Sequence, residues 1–137
     1  MSDASEIPQV ESPPAARRYL TLLFSDLTGS TDLGATLEAE HYAELLARLG
    51  AAYREMISRF SGTVVRIQGD AVLAIFGHPE TLEDHGRRAT EAAIALHAYV
   101  RAMRLDPPQP VILSMHTGIH AGLVLLAQVT WCGAASS

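Results

Sequence analysis

A single cysteine, Cys132, stands in 137 residues, so no disulfide can form within the chain and a reducing compartment suits it. No run reaches the roughly 18 apolar residues of a membrane span. Nor does the sequence open with the basic start, apolar stretch and small-residue cleavage site of a secretory signal. A cytoplasmic protein without a membrane partner is expected. Surplus positive charge is missing as well: ten Lys and Arg against fifteen Asp and Glu leave a formal net charge of −5. Nucleic-acid binders usually carry a basic patch or stripe, so nucleic acid is not expected as a partner. An anionic small ligand would have to be held by cations or backbone N–H groups. Internal repeats and heptad arrays are also lacking, and His78, His116 and His120 have no Cys or His neighbours at zinc-site spacing. A hydrophobic fraction of 48% is still enough to build the core of one domain.

Two short apolar stretches ending in aspartates organise what is present: Tyr19 to Ser25 followed by Asp26, and Val64 to Gln68 followed by Gly69-Asp70 and Ala71 to Phe76. Runs of Val, Ile, Leu and Phe bounded by Gly, Ser or Asp suit sheet interiors. Each therefore reads as a buried strand with a carboxylate at one tip. Magnesium takes one or two protein carboxylates and completes its octahedron with water and substrate phosphates, so two strand-tip aspartates point to phosphoryl chemistry.

Residues 1–16 hold three prolines and scattered acids without apolar periodicity, the pattern of a disordered lead-in. After Asp26 the small and hydroxylated run to Thr31 reads as a turn with accessible backbone. A helix is predicted from an N-cap at Thr36, with Glu38 and Glu40 at its positive end. Its apolar stripe is Tyr42, Leu45, Leu46, Leu49, Tyr53, Met56, Ile57 and Phe60, and Gly62 is placed to stop it. The strands Thr63–Gln68 and Ala71–Phe76 form a hairpin around Gly69-Asp70. Thr81-Leu-Glu-Asp84 resembles a capping box opening a second helix, buried along Ala89, Ala93, Leu96, Val100 and Met103. Prolines after Asp106 end it, Val111 to Ile119 reads as a strand, and His120-Ala-Gly122 as a turn into another.

Strand, helix, strand, strand, helix, strand is the order of the ferredoxin-like α+β sheet. A right-handed crossover leaves the first two strands parallel with room for the hairpin partner between them. Asp26 then meets the Gly69-Asp70 turn, and neighbouring strands lie about 4.8 Å apart, close enough to share one or two cations.

Three segments in succession, Phe24-Ser-Asp26-Leu-Thr-Gly-Ser-Thr31, Gln68-Gly-Asp70-Ala-Val-Leu-Ala-Ile-Phe-Gly77 and Thr117-Gly-Ile-His-Ala-Gly122, resemble the signatures of class III adenylate and guanylate cyclase domains. The resemblance runs over residues 17–127; residues 128–137 form a divergent tail. It implies a ferredoxin-like βαββαβ sheet with helices on one face and its last elements missing. The reaction it implies is conversion of ATP or GTP to a 3′,5′-cyclic nucleotide and pyrophosphate in intracellular signalling. Asp26 and Asp70 match the catalytic, metal-binding aspartates for two Mg2+ or Mn2+, with a carbonyl from Leu27. Gly29, Ser30 and Thr31 match the phosphate-binding turn. Arg66 stands where many members carry a base-reading Lys. Family members form their sites as dimers, so a homodimer or a heterodimer with another cyclase domain is implied. The later segment carrying a transition-state Asn and Arg has no counterpart after Ala127, and negligible activity of the chain alone is expected. The alternatives are a non-catalytic dimerisation module, a truncated remnant, or a palm-type nucleotidyltransferase.

Overall fold

The computed structural model describes residues 16–29, 34–35, 37–104 and 113–126. The elements follow as β1 (Ala16–Leu27), α1 (Ala39–Arg59), β2 (Gly62–Gln68), β3 (Ala71–Phe76), α2 (His85–Ala102) and β4 (Met115–Leu126). The four strands form one antiparallel-paired sheet in the order β2-β3-β1-β4. β3 lies between β1 and β2 and runs against both, so β1 and β2 are parallel, as the crossover argument requires. The fold is the expected α+β, ferredoxin-like arrangement. No helix among the described residues is long and apolar enough to cross a membrane.

α1 packs on β2 and on α2, and α2 lies over β1, β3 and β4. One core results, in which Leu23, Leu49, Tyr53, Ile57, Phe76, Leu96 and Val100 are completely buried. Each large apolar side chain so placed contributes about 2 kcal/mol relative to an exposed one. The α1 stripe read from spacing is the buried one except at Leu46, which is only partly buried and lies outside the core cluster, with Tyr42 and Phe60 at its margins.

Five local expectations are corrected. The end of α1 is turned by Ser61, which takes the left-handed conformation at φ 68, not by Gly62. Gly62 serves packing: a Cβ there would come within 2.5 Å of the Phe76 ring and 2.8 Å of Ile57. The capping box is not formed, because the Asp84 carboxylate binds Arg87 at 2.9 Å and Arg88 at 2.8 Å instead of the helix amides. Two guanidiniums, each charged and rich in donors, occupy both carboxylate oxygens. β4 does not break at His120 to Gly122 but runs twelve residues in unbroken register with β1. Its length follows its partner's, since β1 extends to Ala16 and Leu27, past the predicted Tyr19–Ser25. α1 starts at Ala39 with Glu38 as its N-cap, not at the expected N-cap Thr36, and no Glu38 side-chain bond reaches the first helical amides. Thr36 itself, Val111 and Ile112 of the predicted strand, residues 1–15 and the tail lie outside the described residues.

Candidate active site at the tips of β1 and the hairpin

β1 alternates along its second half: Leu23, Ser25 and Leu27 are buried against the helices, while Leu22, Phe24 and Asp26 take the opposite face. Asp26 is thus half-buried at the strand's C-terminal end. Asp70 is the second residue of the two-residue turn between Gln68 and Ala71. Gly69 supplies the positive φ of 60 that the first position of such a turn needs, and a Cβ there would meet nothing within 4 Å. The turn reaches β1: Asp70 Oδ2 accepts the Leu27 amide at 2.9 Å. A strand end and a hairpin tip far apart in sequence are held together by that bond.

From the helix side, the fully buried Tyr53 of α1 donates its hydroxyl to the Asp70 carbonyl at 2.6 Å. Burial pushes the phenol's pKa well above its ordinary value, and the charges of Asp70 and then Asp26 push it the same way. The Tyr53 hydroxyl therefore stays a protonated donor. Spacing had marked Tyr53 only as part of the core stripe.

A bulge between Val64 and Arg66 resets β2 so that Val64 and Ile67 both pack on the core. Strict alternation would have put them on opposite faces. Arg66 pairs with Leu73, which pairs with Phe24, which pairs with Gly118, giving one row across the face that bears Asp26. Arg66, Gln68, Phe24 and Leu73 line a shallow depression there. Arg66 is exposed, and the chain contains no lysine that could take its place.

Beneath this face runs a polar chain that the sequence reading missed. Ser25 Oγ lies 2.5 Å from Thr117 Oγ1, and His97 Nε2 lies 2.7 Å from the same oxygen. Ser25 is completely buried. A second buried pair, Thr21 and His85 at 2.6 Å, ties β1 to the start of α2. A serine or threonine on the inward side of an alternating strand is the available signal for both. Gly29, exposed with φ 70, opens the turn after β1; Ser30 and Thr31 lie outside the described residues. Among the described residues no three His, Cys, Asp or Glu side chains converge. Asp26 and Asp70 bring two carboxylates, one of which has an oxygen, Oδ1, without a hydrogen bond among the described residues.

A ferredoxin-like sheet with an aspartate at the first strand tip and another on the hairpin is the frame of the nucleotide cyclases. Over residues 14–131 the chain matches the family described as the adenylate and guanylate cyclase catalytic domain, and it belongs to that family. An uncharacterized protein of Mycobacterium tuberculosis is 34% identical over 112 residues, covering 82% of this chain and 20% of its own. Adenylate cyclase 1 of Rhizobium meliloti is 23% identical over 117 residues, 84% of this chain and 18% of that enzyme. Among solved structures, the guanylyl cyclase Cya2 superposes with a TM-score of 0.78 at 26% identity, over 88% of this chain and 62% of that one. The chain thus spans about a fifth of the curated relatives' length.

Proposed function

We propose that this chain is the metal- and triphosphate-holding part of a nucleotide cyclase domain acting on ATP or GTP. The observation that carries the reading is the bond from the amide of Leu27, the residue after Asp26, to the Asp70 carboxylate, with Tyr53 holding the Asp70 carbonyl. The donor set fits Mg2+ or Mn2+: two carboxylates, hard oxygens throughout, and an open outer side for water and phosphate. Asp26, Asp70 and the Leu27 carbonyl would hold two such ions, which when bound supply charge neutralisation at the triphosphate and activation of the ribose 3′-hydroxyl. Gly29, Ser30 and Thr31, small or hydroxylated residues that leave backbone N–H groups accessible, would bind the phosphates. Arg66 and Phe24, one row further along the same face, present a guanidinium and an aromatic ring towards a base. A guanidinium is planar and always charged, so it reads a purine edge differently from a lysine ammonium.

Charged groups for the transition state are expected from a partner domain, and loss of one such donor costs on the order of 100- to 1000-fold in rate. Turnover is expected only with a complete cyclase domain as partner. Cyclic nucleotide formation from ATP and GTP with Mn2+ tests this, with the chain alone and mixed with such a domain. Activity in the mixture that Asp26→Ala removes supports the reading. Activity of the pure chain sinks the need for a partner, and silence in both arms sinks the enzymatic role.

A specific observation favours a second reading, a non-catalytic pairing module. Tyr19, Ile119, Leu123 and Leu125 share the helix-bearing face and are 61%, 41%, 72% and 62% exposed. Tight association with a complete domain without any turnover would select it.

A further inference from the structure

Asp70 is gripped at two points. Its carboxylate is fixed by the Leu27 amide at 2.9 Å, and its carbonyl by the Tyr53 hydroxyl at 2.6 Å. Between these lies a two-residue turn with little else to hold it. Gly69 is exposed, and the space where its Cβ would sit is empty to 4 Å. A turn of this kind rotates readily about the φ and ψ of its glycine. Rotation would carry the Asp70 carboxylate away from β1. Tyr53 opposes it from a rigid base: the ring is completely buried within α1, among residues of the central core. The short phenol bond thus transmits the fixed position of a helix to the backbone of a hairpin tip.

We propose that Tyr53 is a positioning residue for Asp70, holding the hairpin tip so that the carboxylate oxygen left over by Leu27 faces the cation of the substrate complex. The proposal rests on the reading of Asp26 and Asp70 as a metal site. It adds a residue that touches neither cation nor nucleotide, and that acts through the Asp70 backbone. Partners of this kind, one step removed from the metal, commonly change affinity by about 10- to 100-fold when removed. Tyr53→Phe isolates the effect, because the ring continues to fill the core and only the hydroxyl is lost.

The experiment compares Mn2+ binding to the unsubstituted chain, Tyr53→Phe and Asp70→Asn by calorimetry, without nucleotide. It also records hydrogen exchange at the Leu27 amide in metal-free buffer. Mn2+ affinity is expected to fall about tenfold in Tyr53→Phe and to vanish in Asp70→Asn. The Leu27 amide is expected to exchange about tenfold faster in Tyr53→Phe, because its acceptor is no longer held. In Asp70→Asn, adding Tyr53→Phe is expected to change nothing further in metal binding. Unchanged Mn2+ affinity in Tyr53→Phe overturns the proposal and leaves the metal site standing, whatever the melting temperature does. Absence of Mn2+ binding to the unsubstituted chain overturns the metal reading and the proposal with it. If Tyr53→Phe does not fold, Leu27 exchange in the unsubstituted chain decides: exchange as slow as that of the paired centre of β1 agrees with a fixed tip, and exchange at the rate of an open loop overturns it.

Discussion

Leu27 and Asp70 stand 43 residues apart in sequence and meet through one 2.9 Å hydrogen bond, from the amide of the first to the carboxylate of the second. The bond is half-buried and charge-assisted. It closes the open end of the sheet where β1 and the β2–β3 hairpin finish together. The same contact sets Asp26, one residue before Leu27, beside the hairpin tip.

Asp70→Ala therefore has two separable consequences. Loss of the acceptor leaves the Leu27 amide unpaired and is expected to cost about 1–2 kcal/mol. Asp70→Asn keeps an oxygen at that position and is expected to cost less than half as much, yet both variants lose any stabilisation by Mn2+. Urea unfolding with and without Mn2+ reads the two effects side by side. Equal metal-linked stabilisation of Asp70→Asn and the unsubstituted chain would show that the cation binds elsewhere.

Ser25, Thr117 and His97 behave as one unit. Thr117→Val leaves the completely buried Ser25 hydroxyl without its partner and is expected to destabilise by about 1–3 kcal/mol. Ser25→Ala combined with Thr117→Val removes donor and acceptor together, so the double variant is expected to lose less than the two singles added. A double-mutant cycle in urea gives the coupling directly, and strict additivity would break the link between them.

Asp84 sets an acid limit. The guanidiniums of Arg87 and then Arg88 hold its carboxyl at about 2, below its ordinary 3.8. A folded pKa below the unfolded one adds stability that is complete above pH 3.8 and is lost as the pH falls through about 2. The pair is solvated, so the contribution is small. Asp84→Asn is expected to lose that small contribution above about pH 4 and to converge with the unsubstituted chain near pH 2, measured by urea midpoints between about pH 5 and pH 2. A difference that persists unchanged down to about pH 2 would mean that Asp84 acts through packing.

The strand order and the hairpin were legible because runs such as Leu20 to Phe24 and Val72 to Phe76 are apolar over a strand's length and end at Asp or Gly. The α1 stripe was legible for the same reason, at a period of 3.6. What was hidden depends on partners distant in sequence. Val64 and Val65 look like an ordinary alternating pair until β3 imposes a bulge on them. The Thr81 to Asp84 pattern is a cap by spacing, but Arg87 and Arg88 compete for its carboxylate. His120 to Gly122 argued for a turn, yet β1 offers a continuous ladder that twelve residues can follow. Tyr53 was hidden in another way: a periodicity reading counts its ring and ignores a hydroxyl whose acceptor lies 17 positions on.

β4 makes the final prediction. One of its edges pairs with β1, and the other pairs with no strand among the described residues. It runs twelve residues without a register shift and carries no proline and no carboxylate, lysine or arginine, the devices that usually protect an edge. Leu123 and Leu125 stand exposed on it beside Tyr19. Such a strand recruits another strand, either from a second copy or from a complete cyclase domain. Leu123→Lys puts a charge at the most exposed of these positions, where substitution is expected to alter stability by no more than about 0.5 kcal/mol. Size-exclusion chromatography is expected to show concentration-dependent association of the unsubstituted chain and a single small species for Leu123→Lys. Mixed with a complete cyclase domain, Leu123→Lys is expected to lose the heteromeric species while Asp26→Ala retains it. Retention by both variants would move the pairing surface away from β4, to the opposite face where Phe24 and Arg66 lie.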